Sequence, residues 1–332
     1  MSLRSFASAA LFGGAFALPL QAQSSQCLTQ PLALRDACQK GTDIFAMLAP
    51  QVNGALAGGG PVLGSARAVN GISIGVRVNA VDGALPDLAA IRLSAAGAVR
   101  STIPTSRVPV PAPTLDVALG VFPGFFVGVQ RILSLDVLLN VGYIPNADLD
   151  EFRVKATNGS LKLGWGARVG LLSDRLIVPA VSVSYFRRSL PTASFSTSLT
   201  SPNTSSGGAR DSLSLNEFSL RNDAIRLAVS KKLGFLEIGG GVGEDRYRGF
   251  SQLRVSVQPV AGVASTGTFV LQQEIKRRAA YGSVALNILR VRIGAEAGTI
   301  FGGDSIATFN SFTNGKINEH RLFGSVGLRI HL

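Results

Sequence analysis

Very few side chains in this sequence could carry out covalent chemistry. The chain has two histidines, His320 and His331, and neither lies at a metal-ligand spacing from other ligand residues. Residues 71–75, GISIG, match the G-x-S-x-G motif of serine hydrolases. That motif needs a sharp turn from a strand into a helix, whereas Ser73 lies inside an alternating segment with no helix after it. We therefore expect no enzyme, no cofactor and no metal site.

The elements that must position the polar residues are strands with a period of two. Residues 72–78, for example, place Ile72, Ile74, Val76 and Val78 on one face and Arg77 on the other. Many such segments run about 9–13 residues, longer than the roughly 5–6 of an ordinary strand. A tilted strand that crosses a bilayer needs about 9–11 residues.

The connections between these segments alternate between two kinds. Residues 231–234 and 287–290 are short turns, while residues 198–212 and 302–320 are long and rich in Ser, Thr, Gly and Asn. Short turns at one end and long polar loops at the other are typical of an outer-membrane barrel. We predict an all-β fold over residues 71–332: a transmembrane antiparallel up-and-down β-barrel of about 12–14 strands.

The polar faces of these strands carry single charges of both signs. Charges that face one enclosed interior could pair with each other, which avoids the cost of an isolated buried charge. Glycines on the same faces leave room for large side chains. We therefore predict that the following residues face the lumen: Arg77, Asp116, Asp136, Lys162, Arg168, Arg226, Glu237, Arg292, Glu296 and Arg329.

The N-terminal part of the chain has a different pattern. Residues 1–22 carry one basic residue, a short apolar stretch and a small-residue site, which predicts a secretory signal peptide cleaved after Ala22. A membrane anchor is the alternative, although the stretch is short and diluted by Gly and Ser. In residues 23–70 we expect one or two short helices that end at Pro50, and then a Gly-rich connector. This segment is a candidate plug for the lumen.

The two cysteines of the chain, Cys27 and Cys38, lie close together in this segment. In an oxidising compartment they predict a small disulfide loop. A free or metal-bound pair is the alternative, and two thiols with no nearby histidine make a poor zinc site.

The charge balance bears on partners. Lys and Arg exceed Asp and Glu by 12, but they are scattered singly along a chain that we expect to be secreted. This argues against nucleic acid and favours an anionic lipid surface or anionic solutes. The densest clusters, residues 244–250 and 274–278, are expected at strand ends. They are interpreted either as solvated bases or as contacts to lipopolysaccharide phosphates. We expect interfacial aromatic girdles formed by Tyr143, Trp165, Tyr185, Phe186, Tyr247 and Phe250.

The secretory N-terminus, the alternating strands and the last strand together resemble bacterial outer-membrane β-barrel proteins. The last strand, residues 322–332, reads LFGSVGLRIHL, with Leu322, Val326 and Leu328 on its apolar face. The resemblance covers about residues 71–332 and is to outer-membrane β-barrels as a class, without pointing to one family. It implies a Gram-negative-type outer membrane, lipopolysaccharide and the barrel-assembly machinery as partners, and a last strand that closes the barrel against the first.

From this resemblance we expect a porin-like channel or transporter for passive or facilitated passage of small solutes, hydrophobic ones included. Three alternatives stay open. The first is a non-conducting structural, binding or adhesion barrel that acts through its long loops. The others are a barrel enzyme acting on lipid and a soluble secreted β-sandwich.

Overall fold

A computed structural model describes residues 23–144, 147–149, 152–157, 159–199, 211–258 and 263–332. The predicted signal peptide, residues 1–22, lies outside these residues. The helices are α1 (Ser25–Leu28), α2 (Leu32–Ala57) and a short 3-10 helix at Leu88–Ala90. The strands are β1 (Ile72–Pro86), β2 (Thr102–Ile103), β3 (Thr105–Phe122), β4 (Phe125–Val127), β5 (Gln130–Ile132), β6 (Ser134–Tyr143), β7 (Ala147–Leu149), β8 (Phe152–Ala156), β9 (Leu161–Leu172), β10 (Ala180–Ser189), β11 (Ala193–Leu199), β12 (Asp211–Leu233), β13 (Leu236–Val257), β14 (Ser265–Ile288), β15 (Val291–Phe301), β16 (Ser311–Phe312) and β17 (Arg321–His331).

The main sheet closes on itself. Each strand of the ring pairs antiparallel with its neighbours, in the order β1-β3-β6-β9-β10-β12-β13-β14-β15-β17. The ring is completed by β17, which pairs with β1 in a register that places His331 opposite Ser73 and Val326 opposite Val78. The predicted fold class, an antiparallel up-and-down β-barrel preceded by a helical segment, is confirmed.

The sheet has thirteen strands among the described residues, and ten of them form the closed ring. The other three, β7, β8 and β11, extend the wall beyond the ring along the N-terminal part of β12. This long strand pairs with β10 through residues 221–230 and with β11 through residues 211–218. Breaks in the strands, such as residues 190–192 between β10 and β11, separate these extensions from the ring.

The two ends of the barrel differ in their connections. We call the end with the short turns the lower end, where Gly234 and Phe235 join β12 to β13 and Leu289 and Arg290 join β14 to β15. The upper end carries residues 302–320, which include β16 and pair in parallel with β2. The sequence predicted this division into short turns and long polar connections.

Near the lower end the outer face of the barrel is apolar. Exposed apolar residues alternate there with buried ones, and on β14 this pattern covers residues 280–288, close to the roughly 9–11 residues of a bilayer crossing. We call this surface the apolar band. Its large exposed side chains include Ile72, Ile74, Val76, Val78, Leu115, Val121, Leu161, Leu163, Ile225, Leu227, Val229, Ile238, Val242, Val284, Leu286, Ile288, Ile293, Leu322, Val326, Leu328 and Ile330.

Three strands continue well above the apolar band. Strands β12, β13 and β14 have 23, 22 and 24 residues, about twice what a bilayer crossing needs. The clusters at 244–250 and 274–278 therefore lie in the middle of β13 and β14, and the prediction that they lie at strand ends is wrong. Two of the expected girdle aromatics, Phe186 and Tyr247, are buried rather than exposed at an interface.

Helix α2 lies inside the barrel and continues through Pro50 to Ala57, so the prediction that it ends at Pro50 is wrong. A proline inside a helix removes one backbone hydrogen bond, but contacts with the wall can outweigh local propensity. The Gln51 amide donates to the carbonyls of Met47 (2.9 Å) and Ala84 (3.1 Å) and accepts from the Ala84 N–H (2.6 Å). In the part of the chain that the structure describes, no helix is long and apolar enough to span a membrane.

Candidate functional site: the barrel lumen

The lower interior of the barrel is lined with charged side chains. Of the predicted lumen residues, Arg77, Asp116, Asp136, Arg168, Arg226, Glu237, Arg292, Glu296 and Arg329 are all buried on the inner face. Lys162 has the same parity on β9 as Arg168 but is exposed. The alternation of the strands therefore brings nine of these ten side chains into one enclosed space.

Most of these charges form ion pairs between strands, either neighbouring ones or, for Arg292 of β15 and Glu237 of β13, strands one apart in the ring. Arg168 binds Asp136 at 2.7 Å, and Arg292 binds Glu237 at 2.7 Å. The Arg77 guanidinium lies 3.2 Å from the Asp116 carboxylate. Buried charges persist in proteins when they are paired and hydrogen-bonded, and Arg168 with Asp136 and Arg292 with Glu237 meet that condition.

The structure adds two lumen charges that the sequence analysis missed. Asp245 holds Arg226 with two contacts of 2.8 Å. Arg188 is also buried on the inner face of β10. Asp245 follows the parity of a predicted neighbour, since it lies eight positions after Glu237 on β13. Continuing the alternation through the dense charge cluster would have found Asp245.

The lumen is occupied by the chain itself. Residues 58–70, which we call the plug loop, follow α2 and cross the ring of charges. The Arg168 guanidinium donates to the carbonyls of Ser65 (3.0 Å) and Arg67 (2.7 Å). Arg77 donates to the Gly60 carbonyl at 2.7 Å. The predicted lumen cations thus bind backbone carbonyls of the plug loop in addition to their carboxylate partners.

The lumen carboxylates bind the N–H groups of the same loop. Glu296 accepts from Gly60 N–H (3.1 Å) and Gly64 N–H (2.9 Å), and Asp136 accepts from Val69 N–H (3.1 Å). Gly59 has φ +70°, and a Cβ there would overlap the Glu296 carboxylate. The glycines of the plug loop therefore permit the close approach of its backbone to the wall.

Arg188 fixes the junction between α2 and the plug loop. Its guanidinium donates to the carbonyls of Leu56 (3.0 Å) and Ala57 (3.1 Å) in the last turn of the helix. These carbonyls have no partner inside the helix, and a cation at a helix C-terminus is favourable. The lower end of α2 is thus held by charge-assisted hydrogen bonds.

The upper interior is apolar and holds the rest of α2. Phe45 packs edge-on against Phe218 at 5.9 Å between ring centroids, and Phe218 in turn meets Phe195 at 5.2 Å. Gly41 lies against Leu253, whose side chain a Cβ would overlap. Cys27 and Cys38 form a disulfide that joins α1 to α2. The core here has the composition of a soluble domain.

A buried carboxylate ties α2 to the upper connection. Asp43 accepts from the backbone N–H of Phe309 (3.3 Å) and Asn310 (2.8 Å) and from the Asn310 amide (2.7 Å). Burial raises the pKa of Asp43, and these hydrogen bonds offset part of that increase. Residues 302–320 are therefore fastened over the plug helix.

Ser73 and His320, which the sequence singles out for possible covalent chemistry, each contact another side chain of the barrel. Ser73 lies within β1 and accepts a hydrogen bond from Arg329 at 3.3 Å, with no helix after it. His320 stacks on Phe301 at 6.1 Å. Among the described residues, no three His, Cys, Asp or Glu side chains are grouped to hold a metal ion.

A closed ring of antiparallel strands, an apolar outer band of bilayer height and a charged interior define an outer-membrane-type β-barrel. The structure therefore confirms the class of protein expected from the sequence, an outer-membrane β-barrel. Helix α2 and the plug loop lie inside this barrel.

Three solved structures resemble the chain at low identity. The translocator domain of the autotransporter NalP from Neisseria meningitidis is 12% identical, covers 92% of this chain and all of its own, and has a TM-score of 0.38. The Pseudomonas putida toluene transporter TodX is 12% identical, with 84% of this chain and 71% of its own covered and a TM-score of 0.35. The CymD monoaromatic hydrocarbon channel is 10% identical, with coverages of 85% and 97% and a TM-score of 0.31. No family model and no curated protein matches the sequence. TM-scores this low assign neither function nor strand number.

Proposed function

We propose that the protein is an outer-membrane channel closed by its own N-terminal segment, and that the plug loop must move for small solutes to pass. The observation that carries this proposal is how the lower lumen is filled. Charged wall residues bind the backbone of a loop that has no secondary structure of its own. Water can replace such hydrogen bonds, and each one to a charged group contributes about 1.5–3 kcal/mol net, far less than its strength without solvent. The loop can therefore leave a lumen that hydrates readily.

The upper interior bears on which solutes would pass. Its wall is lined by side chains such as Leu213, Leu253 and Phe269, which α2 now covers. If α2 shifts, this surface offers contacts to apolar solutes before they reach the charged lumen below. We therefore extend the proposal to small solutes that include hydrophobic ones.

A non-conducting barrel that acts through its upper loops is the second candidate. It is favoured by the packing of α2 against Phe218 and by the attachment of Asp43 to residues 309 and 310. Both contacts hold the helix in the upper interior. In this case the lumen would remain filled, and binding would occur at the upper end.

Two further parts of the proposal concern processing and organisation. We propose that residues 1–22 are removed on export, so that the mature chain begins near Gln23. We also propose that residues 23–70 form the plug and residues 71–332 the barrel. The mass of the protein isolated from outer membranes would test the first point, because retention of residues 1–22 would contradict cleavage.

A reversible tether would test the channel proposal. Ala66 of the plug loop lies in one buried cluster with Ala180 and Ala228 of the wall, so Ala66→Cys and Ala228→Cys together are designed to form a disulfide between loop and wall. In planar bilayers we expect conductance steps from the reduced double variant and few or none from the oxidised one. The controls are each single-cysteine variant and the unmodified protein with and without reductant, because reductant also reaches Cys27–Cys38.

Two results would contradict the channel. Equal conductance in the oxidised and reduced double variant would show that the plug loop does not gate the lumen. Silence of all variants, from protein shown to be folded by its heat-modifiable gel mobility, would favour the non-conducting barrel.

A further inference from the structure

The outer face of β12–β14 carries a dense basic cluster directly above the apolar band. Outward-facing cations on these strands are Arg221, Arg246, Arg248, Lys276 and Arg278. Two pairs of like charge lie opposite each other across strands: Arg221 faces Arg248, and Arg246 faces Lys276. Like charges placed directly opposite on a sheet destabilise it. A bound anion would relieve this repulsion.

The carboxylates of the protein neutralise only part of the cluster. Glu274 accepts hydrogen bonds from both Arg246 and Arg248. Those two contacts keep the pKa of the exposed Glu274 carboxyl below its usual value. Among the described residues, no ion pair engages Arg221, Lys276 or Arg278, which are all exposed. These three cations are therefore left to a ligand, although Glu244 lies opposite Arg278 across the two strands. Arg221 lies level with Glu274, four residues above Arg278 on β14.

An apolar groove lies immediately below these cations. It has a volume of about 1200 Å³ and crosses the outer face from β12 to β17. Its floor includes Gly240 and Gly282, which are directly opposite each other and add no side chain to the surface. Leu227 and Val242 line its upper side, and Ile238 lies below. The missing side chains at the two glycines create the depression.

Cluster and groove are in register along one strand. Arg278 and Ala280 share the outer face of β14, and Ala280 lines the groove. Two residues along a strand span about 7 Å. This spacing is similar to the distance between the phosphate and the start of the acyl chain in a lipid. One lipid molecule could therefore place its anionic group on Arg278 and its apolar chain in the groove.

We infer that this surface binds a phosphorylated membrane lipid of the upper leaflet, with its phosphates on the basic cluster and an acyl chain in the groove. The order of the two features along the barrel axis matches the order of phosphate and chain in such a lipid. The cations occupy two places, Arg221 beside Arg248 and Lys276 beside Arg278, and this suits a lipid with two phosphates better than one with a single phosphate. A free phosphate ion would use the cluster and leave the groove empty. The inference needs only a membrane-embedded barrel and is independent of conduction.

Native mass spectrometry of the detergent-solubilised full chain would test this inference, with diphosphorylated lipid A as the probe. We expect Lys276→Gln/Arg278→Gln to weaken binding about tenfold or more, since each basic residue near a lipid surface contributes substantially. The matched control is Arg254→Gln/Lys162→Gln, which removes two exposed charges away from the groove and should leave binding unchanged. Phosphatidylglycerol should bind more weakly than lipid A, and phosphatidylcholine more weakly still.

The groove requires its own variant. Gly282→Leu fills part of the floor, and its Cβ has room because nothing lies within 4 Å of a Cβ there. We expect it to weaken lipid A binding severalfold while the binding of inorganic phosphate stays the same. Equal losses in the control and test charge variants would overturn the inference. So would full displacement of lipid A by inorganic phosphate at the same concentration, which would define an ion site instead.

Discussion

The lower and upper halves of this barrel have opposite polarity. In the apolar band the outer face carries Val284 and Leu286, while the inner face carries paired charges such as Arg168 and Asp136. In the upper half the outer face is polar and charged, and the inner face holds a conventional apolar core around Phe218.

Strand β14 shows this reversal of polarity between its inner and outer faces along a single continuous strand. Along β14 the outward residues change from Gln272, Glu274 and Lys276 to Ala280 and Val284. The inward residues change in the opposite sense, from Phe269, Leu271 and Ile275 above to Tyr281 and Ser283 below. The alternation of period two continues throughout. What changes is the medium around the strand, which is water above and lipid below.

The segment inside the barrel, α2 and the plug loop, changes in the same way as the inner face of the wall. Its upper part is an amphipathic helix that packs Phe45 against the apolar wall, and its lower part is a glycine-rich loop that presents backbone groups to charges. The helix satisfies its own backbone and needs apolar contacts, whereas the loop leaves its backbone groups free for Arg77 and Glu296. The difference between the halves therefore explains why a single segment changes from helix to loop at Ala57.

The largest effect is expected where a buried charge loses its partner. Arg168→Ala leaves Asp136 buried without its cation, and we expect a loss of about 3–5 kcal/mol in the free energy of unfolding. Urea unfolding in detergent micelles would measure it, and the loss should change little with salt because buried pairs are weakly screened. Arg168→Met/Asp136→Asn should lose less. A single-variant loss below about 1 kcal/mol would mean that the lower lumen is hydrated like a surface.

A smaller effect should distinguish the two outer faces. Val284→Arg places a charge in the middle of the apolar band, and we expect a loss of about 2–4 kcal/mol in lipid vesicles. Gln272→Arg, on the same face of the same strand in the upper half, should change stability by less than about 0.5 kcal/mol. Unfolding of both variants in the same vesicles gives the comparison. Similar losses for the two would show that the boundary of the bilayer lies elsewhere on β14.

The smallest effect is expected at the contact between Asp43 and residues 309 and 310 at the upper end. In Asp43→Asn an amide NH₂ would meet N–H donors, and we expect about tenfold faster hydrogen exchange at Phe309 and Asn310, equivalent to about 1.4 kcal/mol. Exchange at Gly60 and Gly64 in the lower lumen should be unaffected. Uniform acceleration at both ends would instead indicate that the plug moves as one unit.

The same residue gives a pH dependence. Because burial raises the pKa of Asp43 above 3.8, the folded state binds more protons than the unfolded state between the two values. The contribution of Asp43 to stability therefore falls as pH rises through that window. We expect the unfolding free energy of the unmodified protein, but not of Asp43→Asn, to show this component.

Some features followed from the sequence because they depend on neighbouring residues alone. The alternation in residues 72–78 and 322–332 predicted strands, and its parity predicted that Arg77 and Arg329 share a face with Asp116. The end of α2 did not follow, because Pro50 and the glycines after it argue against a helix in isolation. Contacts of Gln51 with the wall, about thirty residues away along the chain, stabilise it there.

The sequence by itself determined that each strand has one apolar and one polar face, and that charges of both signs recur on the polar one. A period of two distinguishes the faces but does not state which solvent each meets, so the exchange of polarity along β14 was decided only by the tertiary structure. The same holds for the partners of the lumen charges. Arg168 binds Ser65, which lies 103 positions earlier, and only closure of the barrel around the plug loop brings the two together.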